Sequence, residues 1–142
     1  IWIHDPPRPH FTTNPARWLW GSQTVTYMAL QLAYYMGFNP IYLIGVDASY
    51  TVPKTVIQTG EDRFGTGIKS ELTSTRDDDP NHFDPRYFGA GRRWHDPNVQ
   101  GMIEGFTTSR DALAEKGVKV YNATAGGALE VFERVAFDSL FD

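Results

Sequence analysis

The segment 77–98 concentrates side chains that can move protons and hold anions. Its sequence, DDDPNHFDPRYFGAGRRWHDPN, contains two histidines, five aspartates, four aromatics and the adjacent Arg92 and Arg93. A neutral imidazole of His82 or His95 can take a proton from a hydroxyl near pH 7. The two guanidinium groups can clamp a phosphate or a carboxylate through paired hydrogen bonds. Two plainer interpretations stay open, in which the histidines are surface residues and the arginines pair with nearby aspartates.

Asp77, Asp78 and Asp79 form an acidic run at the start of this segment. Carboxylate oxygens are suitable ligands for Mg²⁺ or Mn²⁺. Consecutive side chains seldom converge on one ion, so a solvated acidic turn is the favoured interpretation. We therefore predict no metal site, with Asp77 and Asp79 as the weaker metal candidates.

Two further sites follow from the ends of predicted elements. Ser22 and Thr24 open a predicted helix, where hydroxyls and free N–H groups suit a phosphate, although capping by Ser22 is the favoured explanation. Asp47 and Asn122 each follow a predicted strand. Ligands of parallel sheets bind beyond the carboxyl ends of the strands, so we predict that both residues orient a ligand. A turn residue that caps its own backbone is the alternative for Asp47.

Hydrophobic periodicity and turn residues predict alternating helices and strands. The first helix has its predicted buried face at Val25, Met28, Ala29, Leu32 and Met36. The predicted elements are, in chain order, a strand end at 1–3, a helix at 23–36, a strand at 41–46, a helix from Asp96-Pro97 to Lys116-Gly117, a strand at 118–121 and a last helix within 129–141.

This order predicts an α/β fold, a Rossmann-like open parallel sheet with flanking helices. The apolar run 41–46 is typical of a parallel strand buried on both faces. The segment 47–96 shows little periodicity and is predicted to be a long functional loop. Because the chain opens without Met, we expect residues 1–142 to be a single partial domain, the C-terminal part of a larger one.

Composition excludes several classes of protein. A net charge of −4 argues against a general nucleic-acid binder, which needs a basic face. The absence of cysteine excludes disulfides and thiolate zinc sites. No apolar run approaches the ~18 residues of a membrane span. Oligomeric state is left open.

Three stretches together resemble one family. They are TVTYMALQLAYYMGFNPIYLIGVDASY at 24–50, NHFDPRYFGAGRRWHDP at 81–97 and VKVYNATAGGALEVFERV at 118–135. They resemble the MptE-like domain proteins, named for an archaeal 6-hydroxymethylpterin diphosphokinase. That family is similar to the bacterial sialyltransferases that use CMP-activated sialic acid, and to motility-associated glycosyltransferases.

The resemblance implies a nucleotide-dependent transferase, foremost a sialyltransferase-like glycosyltransferase acting on cell-surface glycans. Its partners would be a CMP-type nucleotide-sugar donor and a glycan acceptor, with no firmly implied cofactor. The alternatives are a diphosphokinase, which would use ATP and Mg²⁺, and a non-catalytic nucleotide- or sugar-binding module. The expected location is the cytoplasm, with the inner membrane face as a variant.

The resemblance also implies roles for individual residues. Thr24 matches a nucleotide-contacting position, although the neighbouring hydroxyl residue of the family is Val25 here. Tyr50 lies close to the position that contacts the departing phosphate, and the Asn-His-Phe setting of His82 matches the catalytic base. The family's first strand and glycine-rich loop have no counterpart, so we expect this piece alone to be inactive.

Overall fold

The computed structural model describes residues 2–4 and 9–141. It contains two compact units, a first unit of Ile1–Ala48 with Val99–Asp142 and a second unit of Ser49–Asn98. The single-domain organisation expected from the sequence stays a prediction. The helices and strands are, in chain order, β1 Trp2–His4, β2 Trp18–Trp20, α1 Val25–Tyr35, β3 Ile41–Leu43, β4 Ile57–Thr59, β5 Glu71–Thr73, β6 Arg93–His95, α2 Val99–Glu115, β7 Val120–Asn122 and β8 Glu133–Arg134.

The first unit contains a three-stranded parallel sheet in the order β3-β7-β8. Ile41 lies opposite Val120 where β3 pairs with β7, and Tyr121 lies opposite Glu133 where β7 pairs with β8. The helix α2 precedes β7 in the chain, so the predicted parallel pairing of these segments with an intervening helix is confirmed. A separate parallel pair joins β1 to β2. The fold is therefore mixed α/β with parallel strands.

The strand β3 is shorter and more open than predicted. It ends at Leu43, and Gly45 adopts a left-handed φ of 71° that breaks the extended run. Tyr42 stays 41% exposed and stacks on Tyr121 across the strand pair, with ring centroids 5.4 Å apart. The prediction of a strand over 41–46 that is buried on both faces is wrong, because one face of β3 carries this open tyrosine pair.

The first helix lies where it was predicted, but with a different cap and a different buried face. Thr24, not Ser22, is the N-cap, and its side chain accepts from the N–H of Thr26 at 3.2 Å. The buried residues of α1 are Tyr27, Leu30 and Gln31. The predicted buried face is wrong, because the core of this unit contacts the opposite side of a helix that is apolar nearly all round.

The second helix begins later than predicted. The Asp96 carboxylate accepts from the N–H of Asn98 at 3.1 Å, and Asn98 adopts a left-handed φ of 46°. The predicted start at Asp96-Pro97 is therefore wrong, because the turn at Asn98 delays the first helical residue to Val99. The predicted end is confirmed: Gly117 has a φ of 71°, and the chain turns out of the helix there.

The C-terminal segment closes the core of the first unit without a long helix. The buried core cluster contains Leu30, Leu43, Phe106, Leu113, Leu129 and Phe132. After it, β8 adds to the sheet, and only a short 3₁₀ turn follows at Asp138–Leu140. The predicted helix within 129–141 is wrong, because this segment bonds to its neighbours; the N–H of Val135, for example, donates to the Asn122 carbonyl.

The second unit contains a three-stranded antiparallel sheet in the order β4-β5-β6. Leu72 in the central strand lies opposite Gln58 on one side and Trp94 on the other. The prediction that the segment 47–96 is one long loop is wrong for β4, β5 and β6. These strands are three residues long, too short for alternation to be recognised, and their pairing joins positions far apart in sequence.

Candidate active site

The second unit holds His82 against a buried carboxylate. The Nδ1 atom of His82 lies 2.7 Å from Oδ2 of Asp79. The Asp79 side chain is 2% exposed, whereas that of His82 is 34% exposed. An ionised carboxylate accepts hydrogen bonds only, so Nδ1 carries the proton in this contact. In the neutral imidazole, Nε2 is then left as the basic nitrogen, which is the arrangement of a carboxylate-oriented general base.

Asp79 is held in its ionised form by its surroundings. Burial alone would raise its pKa, but hydrogen bonds from the Asn81 N–H, the His82 ring and the Phe88 N–H together lower the pKa below its usual value of 3.8. The Asn81 and Phe88 N–H groups donate at 2.9 and 3.2 Å. Asp79 is therefore a fixed negative charge at neutral pH, 2.7 Å from the His82 ring.

Aromatic rings connect this pair to Tyr50. Tyr87 stacks on the His82 ring at 4.0 Å between centroids, and Phe88 meets the His82 ring edge to face at 5.1 Å. Phe88 in turn stacks on Trp94 at 4.4 Å. The Trp94 Nε1–H donates to the Tyr50 hydroxyl oxygen at 2.5 Å. The structure thus brings Tyr50 and His82 into one aromatic cluster of the second unit.

The Tyr50 hydroxyl is kept protonated. Burial raises its pKa above 10.0, and the negative charges of Asp79 and Asp96 raise it further, against a lowering by the Trp94 hydrogen bond. Because Trp94 donates to the oxygen, the tyrosine proton is directed elsewhere. Tyr50 can therefore donate a hydrogen bond to an anionic group, and the phosphate contact that the resemblance implies for it stays a prediction.

The predicted arginine clamp lies apart from this cluster. Arg93 and His95 flank Trp94 on β6, so their side chains point to the opposite face of the sheet from Trp94. There they line an open groove of about 570 Å³, together with Ile57, Thr59 and Glu71 among others. Leu72 and Trp94 also border this groove.

Arg92 precedes β6 and is exposed. In the described part of the chain, neither Arg92 nor Arg93 pairs with Asp77, Asp78 or Asp79. The surface pairing proposed as the plainer interpretation is therefore wrong. Whether either guanidinium binds an anion stays a prediction.

The three carboxylates of the acidic run, Asp77 to Asp79, contact separate partners. Asp77 accepts from the Ala90 N–H at 2.8 Å, and Asp78 accepts from the Thr55 hydroxyl at 2.7 Å. Asp79 contacts Nδ1 of His82. The favoured interpretation of a solvated turn agrees with the exposed Asp77 but is wrong for Asp79, which is buried. Among the residues that the structure describes, no cluster of three or more metal-ligating side chains is found.

Asp47 and Asn122 lie at the carboxyl edge of the parallel sheet in the first unit. The Asn122 amide is fully buried, donates to the Leu129 carbonyl at 3.0 Å and accepts from the Thr124 N–H at 3.0 Å. The Asp47 carbonyl accepts from the N–H groups of Ala128 and Leu129. Both residues therefore shape the loop 123–129, and the ligand-orienting role of each stays a prediction.

The same edge of the sheet carries an open groove of about 510 Å³. It is lined by Ile44, Thr124, Ala125, Val135 and Phe137, among others. The groove lies where ligands of parallel α/β sheets usually bind. His82 and Tyr50 belong to the other compact unit.

Ser22 and Thr24 have structural partners at the start of α1. The Thr24 oxygen caps the helix, and Ser22 lies beside Gly105 of α2, where an added Cβ would be 2.7 Å from the Ser22 hydroxyl. Ser22 thus belongs to a close contact between the segment before α1 and the helix α2. Phosphate binding at these residues stays a prediction.

Comparison of the chain with protein-family models, with curated proteins and with solved structures gives no match. The resemblance drawn from the sequence therefore stays a prediction. No helix in the described ranges is both long and apolar enough to cross a membrane.

Sequence reasoning missed the partner of His82. Asp79 was considered only as a metal candidate, although its spacing of three residues from His82 is short enough for one turn to join them. Phe88 and Trp94 were also not assigned to the site, because their stacking depends on the turn at 89–91 and on the pairing of β6 with β5. The Asp-x-x-His spacing was the available signal.

Proposed function

We propose that this chain carries the general base of a nucleotide-dependent transferase, a glycosyltransferase of the sialyltransferase-like kind acting on cell-surface glycans. The observation that carries the proposal is the 2.7 Å contact between the buried Asp79 carboxylate and His82 Nδ1. It leaves Nε2 of a partly exposed imidazole as a base suited to a hydroxyl acceptor. The motif resemblance that includes His82 and Tyr50 supplies the substrate class.

The proposed step is a displacement at the anomeric carbon of a nucleotide-activated sugar. Nε2 of His82 takes the proton of the acceptor hydroxyl while its oxygen bonds to that carbon. The bond from the carbon to the phosphate oxygen breaks, and the nucleotide phosphate leaves with the electron pair. Asp79 stabilises the imidazolium, and Tyr50 donates a hydrogen bond to the leaving phosphate.

The proposal also includes the fold around the site and the cellular location of the protein. The parallel strands β3, β7 and β8 would form part of a Rossmann-like open sheet, and the protein would act in the cytoplasm or at the inner membrane face.

The experiment measures turnover and donor binding with the full-length protein. Removal of a general base costs on the order of 100- to 10,000-fold in rate, so His82→Ala should lower turnover by that factor with donor affinity nearly unchanged. His95→Ala is the matched control and should retain turnover, because His95 lies on the opposite face of the sheet from Trp94. Equal turnover in His82→Ala and wild type would refute the proposal.

A thermal-shift screen identifies the donor class in the same protein. We expect stabilisation by CMP that does not depend on metal, with UDP and GDP as comparisons. Stabilisation by ATP that requires Mg²⁺ would instead support pyrophosphoryl transfer, in which the metal neutralises the polyphosphate.

A further inference from the structure

One face of α1 carries apolar side chains that the described residues leave uncovered. Val25, Leu32 and Met36 are 73%, 38% and 68% exposed, and Ala29 between them is exposed as well. At about 100° per residue, these four positions fall within a narrow stripe along the helix. The stripe is opposite the side that packs into the core, where Tyr27 and Leu30 are buried.

The helix lacks the polar outer face of an ordinary surface helix. Its sequence, VTYMALQLAYY, contains no charged residue. A helix that is apolar all round is normally buried on all sides. Tyr35 at the end of α1 and Phe38 after it are exposed as well, at 55% and 54%. The stripe therefore has the composition of a contact surface.

The size of this surface matches what a dimer needs. The exposed parts of the six apolar side chains just named amount together to roughly 500 Å². This is at the upper end of the apolar patches that monomers expose. A standard interface buries about 800 Å² on each partner, and about 65% of a homodimer interface is apolar. The apolar part of a standard homodimer interface is thus also about 500 Å² on each chain.

The spacing of the stripe is compatible with a second copy of this chain as the partner. Val25, Ala29, Leu32 and Met36 are separated by four, three and four residues, which is the seam of two helices that pack side by side. In an antiparallel pairing, Val25 faces Met36 of the second copy and Ala29 faces Leu32 of the second copy. Each contact joins a smaller side chain to a larger one, so the seam is self-complementary.

We propose that two copies of this chain form a two-fold dimer through antiparallel contact of their α1 helices. A parallel contact would place Ala29 against Ala29 and leave a gap at the centre of the seam. The antiparallel contact also sets the two helix dipoles in opposite directions. The chain has a net charge of −4, but the uncharged α1 brings no like charges together.

The first test is the mass of the chain in solution over a wide range of concentrations. Light scattering after gel filtration should give twice the mass of one chain, and Leu32→Arg should shift it to the single mass. Arg and Leu have similar helix propensities, so α1 should still form. Ala114→Arg adds the same charge at an exposed position of α2 and should stay dimeric. A single mass for wild type at every concentration, or a dimer unaffected by Leu32→Arg, would overturn the proposal.

The second test determines the direction of the pairing by crosslinking. The chain has no native cysteine, so introduced thiols report only on the chosen positions. Under oxidation, Val25→Cys mixed with Met36→Cys should give covalent dimers, whereas each variant alone should not. Covalent dimers from Val25→Cys alone would show a parallel contact and overturn the antiparallel arrangement.

Discussion

The loop at the carboxyl edge of the parallel sheet depends on a close approach between two backbones. Gly127 adopts a φ of 80°, and a Cβ added there would lie 2.5 Å from Cβ and 2.7 Å from Cα of Asp47. The left-handed conformation costs an L-residue about 1–2 kcal/mol, and overpacking costs about 1–3 kcal/mol more. Gly127→Ala should therefore lower the free energy of unfolding by roughly 2–5 kcal/mol.

Gly126 supplies the matched control for this change. It has a similar φ of 72°, but an added Cβ would have no neighbour within 4 Å. Gly126→Ala should therefore cost only the conformational part, about 1–2 kcal/mol. Urea unfolding followed by circular dichroism measures both variants, through the midpoint at a constant slope. If Gly127→Ala loses no more stability than Gly126→Ala, the predicted approach to Asp47 is refuted.

Three further outcomes are expected. Thr24→Ala removes the cap on the Thr26 N–H and should cost about 1 kcal/mol in urea unfolding; an unchanged midpoint would contradict the capping role. Asp79 has a lowered pKa, so its stabilising effect is present above pH 3.8 and is lost as the pH falls through the lower folded value. The stability gap between wild type and Asp79→Asn should therefore narrow in acid, and a gap independent of pH would contradict this. Trp94→Phe removes the hydrogen bond that lowers the pKa of Tyr50, so NMR titration of labelled tyrosine should find that pKa higher than in wild type; a lower value would argue against the Trp94 contact.

The sequence predicted the parts of the fold that depend on local signals. The first helix ends near Gly37 and the second near Gly117, and both glycines have positive φ. The apolar runs that begin at Ile41 and precede Asn122 form the paired strands β3 and β7. A capping oxygen, a terminal glycine and a run of branched residues act within one turn or one strand, so they can be recognised without the rest of the chain.

The wrong predictions have a common physical cause: the features concerned depend on contacts between residues that are far apart in the sequence. The buried side of α1 could not be predicted because Tyr27, Leu30 and Gln31 are no more apolar than the stripe opposite them. Gln31 is buried because its amide bonds to the backbone at Thr12 and Trp20. These partners lie 11 to 19 residues away, so the periodicity of α1 alone contains no sign of them.

The candidate site was predicted only in part, because its contacts also join positions that are far apart in the sequence. His82 and Tyr50 were selected through their resemblance to a family pattern, and both lie in the aromatic cluster of the second unit. Arg92 and Arg93 were grouped because they are adjacent in sequence, but only Arg93 lies on β6 and lines the groove of the second unit. In a strand, adjacent side chains point to opposite faces, whereas in a loop they need not. The strand β6 was not predicted, so this separation was missed.

The proposed general base depends on the orientation of one imidazole, and ¹⁵N NMR of the His82 ring measures its protonation directly. Asp79 at 2.7 Å from Nδ1 predicts that the neutral ring carries its proton on Nδ1 and leaves Nε2 unprotonated. In Asp79→Asn this preference should be lost, because the amide no longer offers a fixed negative charge. A neutral His82 with its proton on Nε2 in the wild-type protein would contradict the assignment of Nε2 as the general base.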